Sequence, residues 1–440
     1  MSGPHSRVWR LAGPIILSNL SAPLLGAVDT AVMGHLPDPA YIGAVAVGGI
    51  LFSYVYWGFG FLRMGTTGFV SQAAGADDPD EIRAILARGL LLALFLGSAV
   101  IALQIPLALG AFAVIEGSAK VEAIAETYVF IRIWGAPAAL INYIAIGWLL
   151  GMQRAGATFV LAVFLNGLNI ALSLLFVVGL GWGIEGVAFA TLIAEWSAAL
   201  LGLAIVGKRL TKLGGVWRWP LIRDRARLIR MVQVNLDIFI RSLCVITGFA
   251  WFTARGAIFG DTVLAANAVL MIFQSFLGHG LDGFAHAAEA LVGNSIGARN
   301  REALRAAIRV STLWAAICAG IFTLIYLVGG SAIIALLTNI EAVRTTALAY
   351  LPYVIASPFL SVWCYQLDGI FIGATRTAEM RNAMLLSLAV FLIAEQILTP
   401  AFANHGLWIS LMIFMVARAA TLAFWLPRIG RTVGGDSQAA

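Results

Sequence analysis

The chain has 440 residues, of which 61% are hydrophobic and only 11% are charged, and its formal net charge is +6 at pH 7. Soluble chains carry about 25% charged residues. This composition therefore excludes a soluble enzyme, an intrinsically disordered chain, a disulfide scaffold and a nucleic-acid-binding protein. The three cysteines all lie inside apolar segments, where we expect small core residues rather than disulfides.

Twelve apolar segments are long enough to cross a bilayer, which takes about 20 mostly apolar residues because the backbone must satisfy its own hydrogen bonds. Six of them lie near 11–33, 43–73, 84–113, 122–151, 157–180 and 184–206. The other six lie near 231–256, 262–294, 305–330, 344–373, 380–402 and 405–427. The predicted fold is therefore an all-α integral membrane protein with twelve transmembrane helices.

The basic residues predict how these helices are oriented. With both termini placed in the cytoplasm, 21 of the 28 Lys and Arg residues fall on the cytoplasmic side, and only Lys120, Arg255 and Arg344 fall in outer loops. Cytoplasmic loops are enriched in Lys and Arg, so we expect a multi-pass protein of the cell inner membrane with cytoplasmic termini. The positive surplus is then a topology signal and a contact with membrane lipid, not a nucleic-acid patch.

The sequence also contains an internal repeat with an offset of 222 residues. Residues 70–84 align with 292–306, Tyr128 with Tyr350, and residues 151–154 with 373–376. Each half holds six spans, which is an even number, so we expect two six-helix lobes related by a pseudo-twofold axis along the membrane normal. The predicted organisation is an N-terminal lobe, a basic cytoplasmic linker, a C-terminal lobe and a cytoplasmic tail, over 1–207, 208–230, 231–428 and 429–440. Such parallel repeats are typical of transporters; a gated channel is the alternative, but no filter-like loop is evident.

Ionisable side chains inside the spans are the first functional candidates, because each costs about 2.5–3.5 kcal/mol on insertion scales and so faces the bundle interior. Asp29 has no cation within one helical turn in the sequence. Burial favours the neutral form of a lone carboxylate, which suits proton uptake and release; a purely structural hydrogen bond is the alternative. Oxygen partners are expected from the fifth and sixth spans, although interhelical packing would also explain them: Asn166, Asn169, Ser173 and Thr191.

The second half carries more charge within its spans. Asp237 and Arg241 are spaced i,i+4 and are expected to form a structural ion pair, whereas Asp368 is isolated. The eighth span carries a one-sided polar stripe formed by His279, Asp282, His286 and Glu289. Four ligands on one stripe cannot surround a tetrahedral metal ion, so we interpret the stripe as a cavity lining or proton path, with ordinary packing as the alternative. Interhelical ion pairs, rather than sites, are expected for Glu195, Glu395, Arg63, Arg132 and Arg418.

No motif predicts catalysis. The acidic run Asp77–Glu81 faintly resembles the magnesium–pyrophosphate motif of membrane prenyltransferases, but a loop before an amphipathic helix is the simpler interpretation. Neither a zinc-protease motif nor a P-loop is present. Without a nucleotide site, transport is expected to be secondary, driven by an ion gradient and independent of any cofactor.

Three segments, at 24–36, 281–290 and 363–376, resemble the multidrug and toxic compound extrusion (MATE) family, specifically its DNA-damage-inducible protein F subfamily. The resemblance implies two six-helix lobes around a central cleft, and antiport of organic cations against protons or sodium. It also implies that Asp29 is the ion-coupling carboxylate and that Asn169 and Thr191 are its oxygen partners. Ser173 departs from the aspartate of sodium-binding relatives, which favours protons. Asp368 matches a carboxylate used by some relatives, whereas Val245 stands where those relatives carry a glutamate.

The expected function is therefore export of amphipathic, mainly cationic organic compounds in exchange for protons by a monomeric, non-enzymatic transporter. The expected partners are small organic cations and membrane lipid, with no nucleic acid and no metal. Asp29, Asn169, Ser173 and Thr191 are the predicted ion-coupling residues. The predicted polar cavity comprises Asp282, His286, Glu289, Asp368, Asp237 and Arg241. Three alternatives remain: sodium coupling, a flippase of lipid-linked precursors, which a strongly cationic cavity would favour, and an intramembrane transferase.

Overall fold

A computed structural model describes the backbone of residues 3–33, 40–114 and 118–431. The side chains of 20–33, 42, 111, 114 and 119 lie outside the described residues. Within these ranges every regular element is helical. The prediction of an all-α fold is confirmed.

The first half of the chain forms helices that are often interrupted. They are α1 (Pro4–Met33), α2 (Ala40–Gly58), α3 (Phe61–Gly75), α4 (Pro79–Ala102), α5 (Gln104–Val114), α6 (Ala119–Arg132), α7 (Ala136–Gly151), α8 (Ala155–Ser173) and α9 (Gly183–Leu213). A 3₁₀ turn at Ile133–Gly135 joins α6 to α7. A π-helical segment at Leu174–Gly179 continues α8. Such departures from α-helical geometry are frequent at functional sites and hinges.

The second half forms longer, continuous helices. They are the short α10 (Trp219–Ile222), α11 (Arg225–Ala257), α12 (Asp261–Gly297), α13 (Arg301–Leu337), α14 (Glu341–Gly373), α15 (Thr377–Phe402) and α16 (Asn404–Arg431). Helix α14 stays continuous although it contains Pro352 and Pro358. Eleven segments within the described residues are long and apolar enough to cross a membrane. The 30-residue α1 covers the first predicted span.

The backbone repeats at the interval that the sequence predicts. Three pairs of residues 222 positions apart have positive φ just after equivalent helices: Asp77 and Arg299, Gln153 and Thr375, and Gly181 and Ala403. The helices that follow the first pair are capped alike. Asp78 accepts a hydrogen bond from the Glu81 N–H at 3.0 Å, and Asn300 accepts one from the Ala303 N–H at 2.9 Å. These side chains satisfy N–H groups that a helix start leaves unpaired.

A close helix crossing is also repeated. A Cβ on Gly147 would lie 2.5 Å from the Arg63 carbonyl oxygen, and a Cβ on Gly369 would lie 2.2 Å from that of Ala285. Gly147 and Gly369 are 222 residues apart, and so are Arg63 and Ala285. Glycine is required at these positions because small residues let helix backbones approach closely in membranes. The repeat therefore extends to how α3 packs on α7 and α12 packs on α14.

The chain divides into two compact units. The N-terminal unit comprises Leu17–Ala74 and Asp78–Arg230, and the C-terminal unit comprises Met1–Ile16, Gly75–Asp77 and Met231–Ala440. This division differs from the predicted lobes in placing residues 1–16 and 75–77 with the second half, so the predicted lobe boundaries stay a prediction. Within the C-terminal unit, Trp9 packs edge-on against Phe284 and Trp314, with ring centroids 5.5 and 5.1 Å apart.

The basic linker packs against the N-terminal unit through α4. The guanidinium of Arg83 donates hydrogen bonds to the carbonyl oxygens of Leu210 at 2.6 Å and Gly214 at 2.7 and 2.9 Å. These acceptors lie in the last turn and at the end of α9, where carbonyl groups lack helical partners. Arg83 also lies 5.5 Å from the centre of the Trp217 ring. The linker is therefore fixed where it leaves α9.

The acidic run at 77–81 fixes the same linker and caps a helix. Asp80 pairs with Arg218 at 2.5 Å, and Glu81 bonds to Arg88 and Arg227. With Asp78 capping α4, these carboxylates have structural partners in place of the metal that the prenyltransferase alternative requires. Another enzyme-like pattern, Gly-x-Ser-x-Gly at 293–297, lies inside α12, where Ser295 donates to the Leu291 carbonyl. It lacks the strand-to-helix turn that exposes a nucleophile.

Candidate functional site

A buried polar network joins α8 and α9 in the N-terminal unit. The amide nitrogen of Asn169 donates to the Thr191 hydroxyl at 3.0 Å, and Ser173 donates to the amide oxygen of Asn169 at 3.2 Å. Thr191 in turn donates to the Val187 carbonyl at 3.1 Å. The three side chains are between 0% and 5% exposed. The structure therefore brings together three of the four predicted ion-coupling residues.

The fourth predicted residue, Asp29, lies on α1 four residues before its end at Met33. Its side chain lies outside the described residues, so its role as the coupling carboxylate stays a prediction. The backbone places it in the same compact unit as the network of Asn169, Ser173 and Thr191. Ser173 directly precedes the π-helical segment, so this network lies at a departure from regular helix geometry.

Glu195 lies one helical turn beyond Thr191, on the same face of α9. It is 7% exposed, and its Oε1 lies 3.8 Å from Nη2 of Arg132 on α6. The prediction that Glu195 and Arg132 take part in interhelical ion pairing is confirmed. The spacing of four residues from Thr191 is the sequence signal that would have placed Glu195 beside the candidate site.

Asp368 is not isolated in the folded chain. Its Oδ2 accepts hydrogen bonds from Arg241 on α11 and from Arg418 on α16, the latter at 2.9 Å. Asp368 is 5% exposed and Arg418 is 2% exposed. The isolation seen in the sequence is removed by tertiary packing, because both arginines come from helices distant in sequence. This cluster of one carboxylate and two guanidinium groups carries a net positive charge.

The expected ion pair between Asp237 and Arg241 is wrong. Asp237 accepts hydrogen bonds from Arg381 at 2.6 Å and from the Thr377 hydroxyl at 3.0 Å, both in the first turns of α15. Arg241 instead bonds to Asp368. A spacing of four residues makes side chains neighbours on a helix, but each of these found an oppositely charged or polar partner on an adjacent helix. The two residues therefore belong to separate clusters.

The polar stripe of α12 is only partly buried. Glu289 is 1% exposed and its Oε1 lies 4.0 Å from Nε2 of His286, while Nδ1 of His279 lies 2.7 Å from the Ser275 carbonyl. Asp282 has an intermediate exposure. Among the described residues, no group of three or more His, Cys, Asp and Glu side chains is arranged to hold a metal ion. Its predicted use as a cavity lining or proton path stays a prediction.

Glu395 is a fully buried carboxylate of the C-terminal unit whose partners the sequence did not predict. Its Oε1 accepts from Arg255 at 2.6 Å, and its Oε2 accepts from Trp251 at 3.2 Å and Gln396 at 3.0 Å. Arg255, expected in an outer loop, lies in the last turn of α11. Glu395 stands 222 residues after Ser173. The two repeats therefore place different groups at this position, a hydroxyl in the first and a paired carboxylate in the second.

A cavity of about 740 Å³ lies among α13, α14 and α16 of the C-terminal unit. Its walls are mostly apolar, with Trp363 and Leu367 among them, and Arg309, Thr312 and Gln366 supply its polar groups. Ligand pockets range from about 300 to 1,000 Å³ and are mostly apolar with few polar groups. None of the predicted polar-cavity residues lines this cavity.

Two matches to one family model decide the identity of this repeated membrane fold. The MatE model matches residues 14–175 and, a second time, residues 238–399. The chain belongs to the multidrug and toxic compound extrusion (MATE) family. MATE proteins are transporters, so this chain is a multi-pass membrane transporter and not an enzyme.

Individual MATE relatives and structures agree with this assignment. DNA damage-inducible protein F of Escherichia coli (strain K12) is 42% identical over 96% of this chain and 92% of that protein. A probable multidrug resistance protein NorM of Caulobacter vibrioides is 28% identical over 66% of this chain and 62% of that protein. The solved outward-facing conformation of a multidrug resistance MATE family transporter matches with a TM-score of 0.85 at 19% identity, over 98% of this chain and 97% of that one. The shared fold has twelve transmembrane helices in two lobes.

Proposed function

We propose that this MATE transporter exports amphipathic, mainly cationic organic compounds in exchange for protons. The observation that carries the proposal is the buried network of Asn169, Ser173 and Thr191 between two apolar helices. Buried polar groups in membrane spans are costly and mark ion or substrate pathways. In the MATE pattern these residues accompany Asp29, which we assign as the main coupling carboxylate.

The composition of the network supports protons over sodium. Ser173 supplies a hydroxyl at the position where, by the family resemblance, sodium-binding MATE relatives carry a second carboxylate. Asn169, Ser173 and Thr191 are uncharged and already bond to one another, so they add no negative charge to hold a sodium ion. A single carboxylate, Asp29, is sufficient for a proton and a cationic compound to compete for the same site.

The choice of substrate class has three supports. Relatives at 24–28% identity include proteins described as multidrug resistance and multidrug and toxin extrusion proteins. The C-terminal unit contains a mostly apolar cavity that suits the apolar part of an amphipathic compound. The same unit carries acidic residues, Asp282 and Glu289 on α12, as well as the positively charged Asp368 cluster. This mixed charge does not favour the flippase alternative.

The proposed location is the cell inner membrane, with both termini in the cytoplasm. The support is the 21 of 28 basic residues that this orientation places on the cytoplasmic side. We further propose that the transporter works as a monomer, because the candidate coupling residues Asp29, Asn169, Ser173 and Thr191 all belong to one compact unit of one chain.

The test uses everted membrane vesicles with an imposed proton gradient. Ethidium or a rhodamine is added with and without sodium, and dissipation of the gradient is followed by fluorescence dequenching. We expect substrate-dependent dequenching that needs no sodium and is lost in Asp29→Asn. The exposed acid Asp261 at the start of α12 provides the control: Asp261→Asn should retain the full response.

Each other outcome overturns a defined part of the proposal. A response only with sodium retains antiport and overturns the proton assignment. An unchanged response in Asp29→Asn removes that carboxylate from the coupling mechanism. No response to any cation, with the protein present in the vesicles, overturns cation export and directs the next assay to lipid-linked precursors.

A further inference from the structure

Glu195 is a buried carboxylate whose charge is poorly compensated. It is 7% exposed, and among the described residues its Oε2 has no hydrogen-bond partner. Its Oε1 lies 3.8 Å from Arg132 Nη2, which is longer than a charge-assisted hydrogen bond of about 2.7–2.9 Å. Buried polar atoms are nearly always bonded, so an unbonded carboxylate oxygen calls for an explanation.

Arg132 is held by other groups besides the long ion pair with the carboxylate. Its Nη1 donates to the Tyr128 hydroxyl at 2.9 Å, and its guanidinium lies 4.6 Å from the centre of the Phe52 ring. Both contacts are of kinds that stabilise a buried guanidinium. Arg132 therefore has partners that remain if Glu195 loses its charge.

Glu195 and its neighbour hold the 3₁₀ turn that joins α6 to α7. Gly135 in that turn lies directly against the carboxylate, because a Cβ on it would be 2.1 Å from Oε2. The indole of Trp196 donates to the Trp134 carbonyl at 3.1 Å, and Asn142 donates to the Glu195 carbonyl at 3.0 Å. A 3₁₀ segment within a helix often marks a hinge, and this one is fastened to α9.

Few other titratable groups surround the carboxylate. Helix α6 supplies Arg132 and Tyr128, α2 supplies Tyr56, and α7 supplies Tyr143, whose hydroxyl donates to the Tyr56 carbonyl at 3.2 Å. Helix α8 and the 3₁₀ turn contribute none. Among the described residues, the cation that pairs with this carboxylate is the partly buried Arg132, at 3.8 Å.

We propose that Glu195 is a second proton-binding carboxylate of the N-terminal unit, and that its protonation loosens the attachment of the 3₁₀ turn between α6 and α7. A proton from water adds to Oε2, leaving a neutral carboxyl group and no charge to attract Arg132. Arg132 stays with Tyr128 and Phe52. The contact of Gly135 with the carboxyl group no longer involves a charge, so the turn is held to α9 mainly by the hydrogen bond from Trp196. The proposal rests on proton-coupled transport only in assigning this proton to the transport cycle; the binding itself is independent of substrate.

The direct test is infrared difference spectroscopy of the purified full-length protein in lipid between alkaline and acidic pH. Wild type should show an infrared band from carboxyl groups that become protonated. In Glu195→Gln the intensity of this band should fall by the contribution of one carboxyl group. Glu395→Gln is the matched control, because Glu395 is equally buried but bonded at both oxygens. That control should retain the full wild-type band, and a band left intact in Glu195→Gln overturns the proposal.

Two further variants keep the test decisive if Glu195→Gln does not fold. Glu195→Asp retains a carboxyl group in an altered position, so its band should persist with a shifted midpoint pH. Gly135→Ala places a methyl group against Oε2 and should shift the same midpoint. Unshifted midpoints in both variants contradict the assignment of the band to Glu195.

Transport then separates this proposal from the proposed function. In reconstituted vesicles, Glu195→Gln should move substrate with one proton fewer per cycle than wild type. A wild-type protein without any substrate-linked proton movement, together with the expected infrared loss, overturns antiport and leaves the proton site intact. An unchanged proton ratio with the infrared loss overturns only the place of this proton in the cycle.

Discussion

The two units contain the same repeat, but they differ in how continuous their helices are and in how fully their buried carboxylates are hydrogen-bonded. In the N-terminal unit, α6 and α7 are separated by a 3₁₀ turn and α8 ends in a π-helical segment. Glu195, next to the first of these interruptions, has one oxygen without a partner in the described part of the chain. In the C-terminal unit, α14 is continuous over the equivalent positions, and Glu395 is bonded at both oxygens.

This difference indicates which unit is suited to change conformation. Local opening requires little free energy where few buried contacts and helical hydrogen bonds must break. Irregular helices beside a weakly compensated carboxylate meet that condition, whereas continuous helices with paired charges do not. The N-terminal unit is therefore suited to local movement during transport, and the C-terminal unit to a stable framework.

The largest expected effect is the difference in stability lost when one buried carboxylate is neutralised in each unit. Asp368→Asn leaves Arg241 and Arg418 buried without a counter-charge, and breaking such a cluster costs about 3–5 kcal/mol. Glu195→Gln removes a negative charge whose nearest oxygen lies 3.8 Å from Arg132, so we expect a loss of about 1 kcal/mol. Thermal unfolding of the purified variants in detergent measures both. Equal losses in the two variants would contradict the contrast between the units.

An intermediate effect is expected at the repeated glycine crossing. Gly147→Ala and Gly369→Ala place a methyl group against a backbone carbonyl, and such overpacking costs about 1–3 kcal/mol. Gly156→Ala and Gly320→Ala are helical controls with no other atom within 4 Å of the added Cβ. These controls should be neutral or slightly stabilising, since alanine favours helix by up to about 1 kcal/mol. A crossing variant as stable as its control would show that the helices separate at no cost.

The smallest effect is expected in backbone hydrogen exchange. The amides at 133–135 should exchange about tenfold faster than those at 355–357, because the 3₁₀ turn opens at lower free energy than continuous α14. Exchange followed by mass spectrometry of the reconstituted protein compares the two segments in one sample. Glu195→Gln should increase exchange at 133–135 and leave 355–357 unchanged. Uniform exchange across both segments would remove the assignment of the hinge to the N-terminal unit.

Patterns local in sequence gave most of the fold. Apolar stretches of membrane length predicted the helices, and the offset of 222 predicted equivalent backbone positions such as Asp77 and Arg299. The same local reasoning placed Asn169, Ser173 and Thr191 together, since helical spacing aligned the first two and a short loop joins α8 to α9. It failed for Asp237 and Arg241, because spacing along a helix shows which side chains are near and not which partners other helices bring.

Length, hydropathy and periodicity by themselves determined that this chain is a twofold-repeated helical membrane protein, because these properties act on each segment separately. The tertiary structure alone decided which carboxylates are compensated. Asp368 appeared isolated in the sequence but bonds to two arginines in the structure. Glu395 is bonded at both oxygens, whereas Glu195 has an arginine only at 3.8 Å. Electrostatic interactions depend on separation in space, and in a helical bundle that separation is set by helices far apart in the chain.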